Sequence, residues 1–220
     1  MLVLKEGKQV TDLIYEAKNA VVIPTRGSGM DGLCAGIALY RSLKNSGKNV
    51  SFMYPYPIPF EAVNLISKDE VTPVKGTRDL VVSIDYGGTH IEKVNYVIEG
   101  NVCKIILHPV SKDFDTSRVG FSTAGFDYDL VISIGAPKLT DHGEVFNEYK
   151  EEIKKIFLIN IDNSTKNENY GTLNVIEPES GGLCQLVLYK LAAWHYKVDK
   201  ETAKALLAGI TYNASSVEDR

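Results

Sequence analysis

Gly27-Ser28-Gly29-Met30-Asp31-Gly32 is the stretch of this sequence best suited to chemistry. Three glycines spaced G-x-G-x-x-G let a backbone approach a phosphate closely, and free N–H groups at the start of a following helix favour an anion. The stretch lies between the apolar run 20–25 (AVVIPT) and a helix-like run, 33–43. A dinucleotide fingerprint also needs an acidic residue about 20 positions on, ending the second strand, to hold a ribose. Here that strand is Val50-Ser51-Phe52-Met53-Tyr54, without a carboxylate, and Asp31 within the loop would repel a pyrophosphate. A Rossmann-type dinucleotide-binding domain therefore remains an alternative, beside a turn that simply needs glycine and a site for some phosphate or nucleotide group.

Three later segments carry residues of the same kind. Asp129-Leu130-Val131-Ile132-Ser133-Ile134 runs into Gly135. Ile159-Asn160-Ile161 runs into Asp162-Asn163-Ser164, with Tyr170-Gly171-Thr172-Leu173-Asn174 beyond it. Gly209-Ile210-Thr211-Tyr212 runs into Asn213. With these motifs the chain, from Ala20 to its C-terminus, resembles the DHH (also DDH) phosphoesterase superfamily, which includes RecJ-like exonucleases and bacterial oligoribonuclease-like enzymes that degrade very short RNAs. The resemblance implies a two-metal phosphoryl hydrolase using manganese. In such a centre two divalent cations about 3.5–4 Å apart hold the attacking hydroxide and the leaving oxygen.

Matched to the family's motifs, this chain resembles a degenerate member. Its first motif, His-x-Asp-x-Asp-Gly, reads Gly27, Gly29 and Asp31 at the ligand positions; the strand-ending aspartate of the second reads Gly135; Asp-His-His reads Asp162-Asn163-Ser164; and the last aspartate reads Asn213. Of six ligand positions so matched (Gly27, Gly29, Asp31, Gly135, Asn163 and Asn213), one keeps a carboxylate. Divalent cations of this class prefer carboxylate and imidazole ligands, so charge balance argues against a binuclear centre. His90, His108, His142 and His195 fall outside every motif. His142, near Gly135, is the one placed to stand in, and it otherwise reads as a solvated residue at a helix start.

The expected protein is thus a pseudoenzyme: a phosphodiesterase-like, catalytically inactive module with no catalytic residue, no metal and no cofactor. Its cleft would bind a phosphate, a nucleotide or a short single-stranded nucleic acid through Thr25, Arg26, Gly27, Ser28, Gly29, Asp31, Gly135, Asp162, Asn163, Ser164 and Asn213. An active alternative would use Mn2+ in an atypical site built from Asp31, Asp85 and Asp162. A third class is a protein-interaction module or homo-oligomer, with Tyr54-Pro55-Tyr56-Pro57 and the segment 94–109 as contact surfaces.

The elements that must position these residues follow from pattern. Apolar runs at 20–25, 49–54, 79–85 (DLVVSID), 129–134 and 157–161 (FLINI) read as strands; 5–18, 33–43, 142–156, 182–194 and 200–210 have helical spacing, and 60–67 reads as a short helix. Strands alternating with helices predict an α/β fold: a mostly parallel, Rossmann-like, DHH-type sheet with helices on both faces. Gly100-Asn101 between two alternating runs predicts an inserted β-hairpin over 94–109. One domain spanning 1–220 is expected, with an inserted segment at about 79–125 and no second substrate-binding domain before the chain ends at Arg220.

Composition fits this class. The chain has 220 residues, 44% hydrophobic and 24% charged, and a formal net charge of −4, which provides no general basic field for nucleic acid. Cys34, Cys103 and Cys184 form no CxxC pair, so they read as reduced core residues rather than zinc ligands or disulfides. No stretch has the length or apolarity of a signal peptide core or a membrane span, so a soluble cytoplasmic protein is expected.

Overall fold

A computed structural model describes residues 9–74, 79–87, 91–108, 115–124 and 126–218. In chain order the elements are α1 (Val10–Glu16), β1 (Ala20–Pro24), α2 (Gly29–Asn45), β2 (Val50–Met53), β3 (Val71–Thr72), β4 (Asp79–Ile84), β5 (Lys93–Glu99), β6 (Val102–His108), β7 (Val119–Ala124), β8 (Leu130–Ile134), α3 (Glu144–Ile153), β9 (Phe157–Asp162), β10 (Leu173–Ile176), α4 (Leu183–Ala193) and α5 (Lys200–Glu218). The chain divides into two compact units, one of residues 1–76 and 126–220 and one of residues 77–125.

The larger unit holds a six-stranded sheet in the order β10-β9-β8-β1-β2-β3, every pairing parallel. The α/β fold with a Rossmann-like parallel sheet is therefore present. Its interior strands are unbroken apolar runs because both faces are covered. Alternate side chains feed two cores. Ala20, Val22, Phe52, Ile132, Ile134, Ile159 and Ile161 pack beneath α1, α2, α4 and α5. Val21, Ile23, Val131 and Leu158 face Val145, Tyr149 and Ile153 of α3. The helix cover is thus thick on one face and a single helix on the other.

Helix α2 is apolar nearly all round, with Leu33, Cys34, Ala35, Ile37, Ala38, Leu39 and Leu43 wholly buried, as befits a helix enclosed by sheet and helices. Gly36 lets it lie against the strands. A Cβ there would stand 3.0 Å from Pro24 Cγ and 3.3 Å from a Phe52 ring carbon. Gly209 does the same where α5 crosses, since its Cβ would meet Cys184 Sγ at 2.3 Å and Cys34 Cβ at 2.8 Å.

The smaller unit contains two antiparallel pairs, β4 with β7 and β5 with β6. The second is the hairpin expected around Gly100-Asn101, forming its own two-stranded sheet rather than adding to the parallel one; Pro109 lies outside the described residues.

Several expectations need correction. The glycine stretch is not an extended loop to residue 32. Arg26–Ser28 form a 3-10 turn and α2 begins at Gly29, whose N–H bonds Arg26 O. Residues 60–67 hold only a 3-10 turn at Phe60–Ala62, and α5 runs eight residues past Ile210, to Glu218. The first helix covers Val10–Glu16; residues 1–8 lie outside the described set, as does His90. Cys34 and Cys184 are buried as expected, whereas Cys103 on the hairpin is exposed.

Replacement of Gly36 tests the α2–sheet contact. Gly36→Ala should be near neutral, because a helix-propensity gain of about 1 kcal/mol offsets a tight contact. Gly36→Val should lower urea-unfolding stability by about 2 kcal/mol through overpacking. Equal midpoints for Gly36→Val and wild type would contradict this packing.

Candidate functional site

The strand order reverses between β1 and β8, and ligands of open α/β sheets bind outside the carboxyl ends of strands at such a point. A cavity of about 840 Å3 lies there. It is lined after β1 by Thr25, Gly27, Ser28 and Asp31, after β8 by Gly135, Pro137 and Asp141, and after β9 by Asp162, Asn163 and Ser164, with Gly181, Leu183 and Asn213 closing one side. Nine of the eleven residues expected from sequence line it. The other two do not. Arg26 turns its guanidinium over the Tyr56 ring, 5.4 Å from the centroid. Gly29 contributes only its backbone turn. Pro137, Asp141, Gly181 and Leu183 were not anticipated: Pro137, Asp141 and Gly181 lie in connections with no family pattern, and Leu183 reads as an ordinary core residue.

The side chains are already committed to local partners. Thr25 Oγ1 donates to Asp141 O (3.0 Å) and accepts from Gly27 N (3.4 Å), while Ser28 Oγ donates to Thr25 O (2.7 Å). These bonds fix the turn that launches α2. Asp31 accepts from the amides of Leu183 (2.7 Å) and Cys184 (2.9 Å), so its carboxylate caps the start of α4. A negative charge is favourable at that position. Asn213 Nδ2 donates to Gly181 O (3.0 Å) beside it. A Cβ on Gly182 would fall 2.7 Å from Asn213 Nδ2 and 2.9 Å from an Asp31 oxygen, so only glycine admits both side chains.

Asp162 is 2% exposed and is held by its neighbours. Its Oδ1 accepts from Asn163 N (2.9 Å) and its Oδ2 from Asn167 Nδ2 (2.7 Å). Asn167 Nδ2 also donates to Ala136 O (3.1 Å), and Asn160 Nδ2 donates to Asn167 Oδ1 (2.8 Å) and Asn174 Oδ1 (3.0 Å). Asp85 belongs to the smaller unit, where its Oδ1 accepts from Gly87 N (3.0 Å).

His142 is not solvated. It is 3% exposed, with Nε2 2.7 Å from Ser133 Oγ, which lies 2.7 Å from Tyr170 Oη. Tyr170 Oη is 2.9 Å from Ala136 O. That carbonyl can only accept, so the tyrosine proton goes to it. One consistent direction then remains: His142 Nε2–H to Ser133, Ser133 to Tyr170, Tyr170 to Ala136. His142 Nδ1 has no partner. Burial holds the imidazole well below its usual range, at about 4, against an opposing pull from Asp141. Burial also raises the Tyr170 hydroxyl, and it raises the Cys34 thiol to about 12, helped by the Asp31 charge. Cys184 is raised in the same way. Neither thiol is a nucleophile near neutrality.

A pair of divalent cations does not fit this lining. Asp31, Asp141 and Asp162 are its only carboxylates. The first two accept backbone amides, Asp141 from Lys138 N (2.9 Å), and the third accepts a backbone and a side-chain N–H. Among the described residues, no three His, Cys, Asp or Glu side chains come together as a metal site. Two glycine positions are closed by geometry as well. Gly29 has φ +61 and ψ −151, a region essentially restricted to glycine. Gly135 has φ +65, and a Cβ there would strike Ser28 Cβ at 2.5 Å and Leu183 Cδ1 at 2.6 Å. Gly27, by contrast, meets only Thr25 Oγ1 at 3.8 Å.

No family model matches the sequence, and no curated protein matches it. Among solved structures, the chain is similar to the crystal structure of an exopolyphosphatase-related protein from Bacteroides fragilis, with a TM-score of 0.61 and 14% identity. The similarity covers 93% of this chain and 48% of the other, so the chain spans about half the length of that protein. The likeness is one of fold. No helix among the described residues is long and apolar enough to cross a membrane.

Two predictions follow from this geometry. Gly135→Asp should lower stability by about 3 kcal/mol or more, combining left-handed backbone strain with overpacking; an unchanged urea midpoint would refute the contact with Ser28 and Leu183. For His142, the unfolded chain takes up a proton near pH 6.5 and the folded chain only near pH 4. Stability should therefore fall as pH drops from 6.5 to 4, by about 3 kcal/mol from this group. His142→Gln should lose that component, so its stability relative to wild type should rise by a similar amount between pH 7 and pH 4.

Proposed function

We propose that this chain uses a phosphoesterase-type fold as a metal-free binding module for a nucleotide-type ligand, and that it does not hydrolyse phosphodiesters through a two-metal centre. The observation that carries the proposal is the Asp31 carboxylate on the Leu183 and Cys184 amides. That carboxylate is the last acid at the six matched ligand positions, and it completes a helix. Turning it toward a metal would expose two amide donors of α4. The resemblance to DHH phosphoesterases and the fold shared with an exopolyphosphatase-related protein support the phosphoesterase-type scaffold.

The ligand class follows from the lining. Asp31, Asp141 and Asp162 line the cavity with no lysine or arginine among the lining residues. Free phosphate would meet repulsion of about 4 kcal/mol from each carboxylate at 4 Å, taking an effective dielectric of 20. A ribose diol instead donates hydrogen bonds to carboxylates. Asn163 and Ser164 add amide and hydroxyl groups on the same side.

Metal-free calorimetry with mononucleotides, dinucleotides and inorganic phosphate tests this reading. A 5′-mononucleotide should bind more tightly than inorganic phosphate, and Asn163→Ala should weaken it about tenfold, as expected for a lost hydrogen bond. Absence of heat with every nucleotide would sink the proposal. With manganese, hydrolysis of short RNA should stay at background; turnover abolished by Asp31→Ala would overturn the non-catalytic reading.

A further inference from the structure

The strongest feature outside the cavity is the β5–β6 hairpin. Its register pairs Val94 with Leu107, Tyr96 with Ile105 and Ile98 with Cys103, and paired residues share a face. One face is therefore apolar from end to end. The other is mixed, carrying Lys93, Asn95, Glu99, Lys104 and His108 beside Val97, Val102 and Ile106, with Lys104 bonded to Glu99. The apolar face is open: Val94 is 61% exposed, Tyr96 73%, Ile98 67% and Ile105 51%. A lone two-stranded sheet with an uncovered apolar face is marginal in water, and a face without a charged side chain is the kind that packs on another layer.

We propose that this face is a homodimer interface, covered in solution by the same face of a second copy of this chain. Three observations select that occupant. The face bears no charged side chain by which a chemically distinct partner would be recognised, and its polar atoms are limited to the Tyr96 hydroxyl and the Cys103 thiol. An apolar sheet face is self-complementary, so a two-fold axis stacks like on like without opposing charges. The area also suffices: six side chains at this exposure offer on the order of 500 Å2 per copy, so two copies remove about 1,000 Å2 from water, the size at which specific interfaces begin. This inference is independent of what the cavity binds.

Cys103 supplies a reporter, because Cys34 and Cys184 are wholly buried and Cys103 is exposed. Sedimentation of the full chain should show a monomer–dimer equilibrium. Maleimide labelling of Cys103 should slow with concentration, by up to about tenfold for a hundredfold rise, the square-root law of dimer dissociation. The double variant Tyr96→Asp/Ile98→Asp should sediment as a monomer and label at one fast rate throughout. A wild-type chain that stays monomeric at every concentration overturns the proposal, including the case where Cys103 is unreactive throughout because the chain covers its own hairpin. A dimer that survives the double substitution also overturns it, by placing the interface elsewhere. Should the variant not fold, the wild-type sedimentation and labelling series decide alone.

Discussion

The contact between the Asp31 carboxylate and the first amides of α4 joins residues 152 positions apart, and much of the larger unit is arranged around it. It fixes the start of α4 against the start of α2. Gly182 must lack a side chain to admit the carboxylate, and Gly209 must lack one for α5 to cross beside Cys34 and Cys184. The Cys184 thiol adds a bond to Asp31 O at 3.2 Å. A carboxylate holding a cation and a carboxylate capping a helix are alternative uses of the same oxygens. Here the helix has them, and with them goes the packing of three helices on one face of the sheet.

The opposite face is polar where it meets the cavity. On β8 and β9 the residues directed to the α3 side include Ser133, Asn160 and Asp162, all nearly unexposed. Buried polar groups of this kind are tolerated only when satisfied. The segment after β9 folds back to satisfy them through Asn167, Tyr170 and Asn174. These groups form a connected hydrogen-bond network of which Asp162 lines the cavity, and His142 Nδ1 is the atom in it without a partner. A network held in this way resists rearrangement, since moving one member leaves another unsatisfied at a cost of about 1–3 kcal/mol.

Much of this architecture was legible in the sequence because the signals were strong and local. Residues 20–25, 129–134 and 157–161 are apolar runs too short for helices, and they became three of the four interior strands. Thr25, Ser28, Gly135, Asp162 and Asn213 come together at one cavity; the first four follow strand ends, and Asn213, inside α5, was pointed to by its match to a family motif. What escaped was set by tertiary contact. β3 is two residues long, and β10 carries only half-buried or exposed side chains. Arg26 looks like an anion ligand in sequence, yet Tyr56 draws its guanidinium away. His142 looks solvated because imidazole is polar, and its burial depends on Ser133, nine residues upstream, and on Tyr170, 28 residues downstream. Cys103 looks like a core residue because its neighbours are apolar, and it lies on a face that β5 and β6 leave open.

The backbone at Gly29 bears on any attempt to redesign this cavity. Its torsion pair lies where side-chain-bearing L-residues are effectively excluded, and the helix that follows takes its direction from that turn. An engineer wanting an acid at this point could not obtain it by exchanging one amino acid. The path of the main chain from Thr25 to Asp31 would have to be transplanted as a block, and the cap on α4 supplied by some other group.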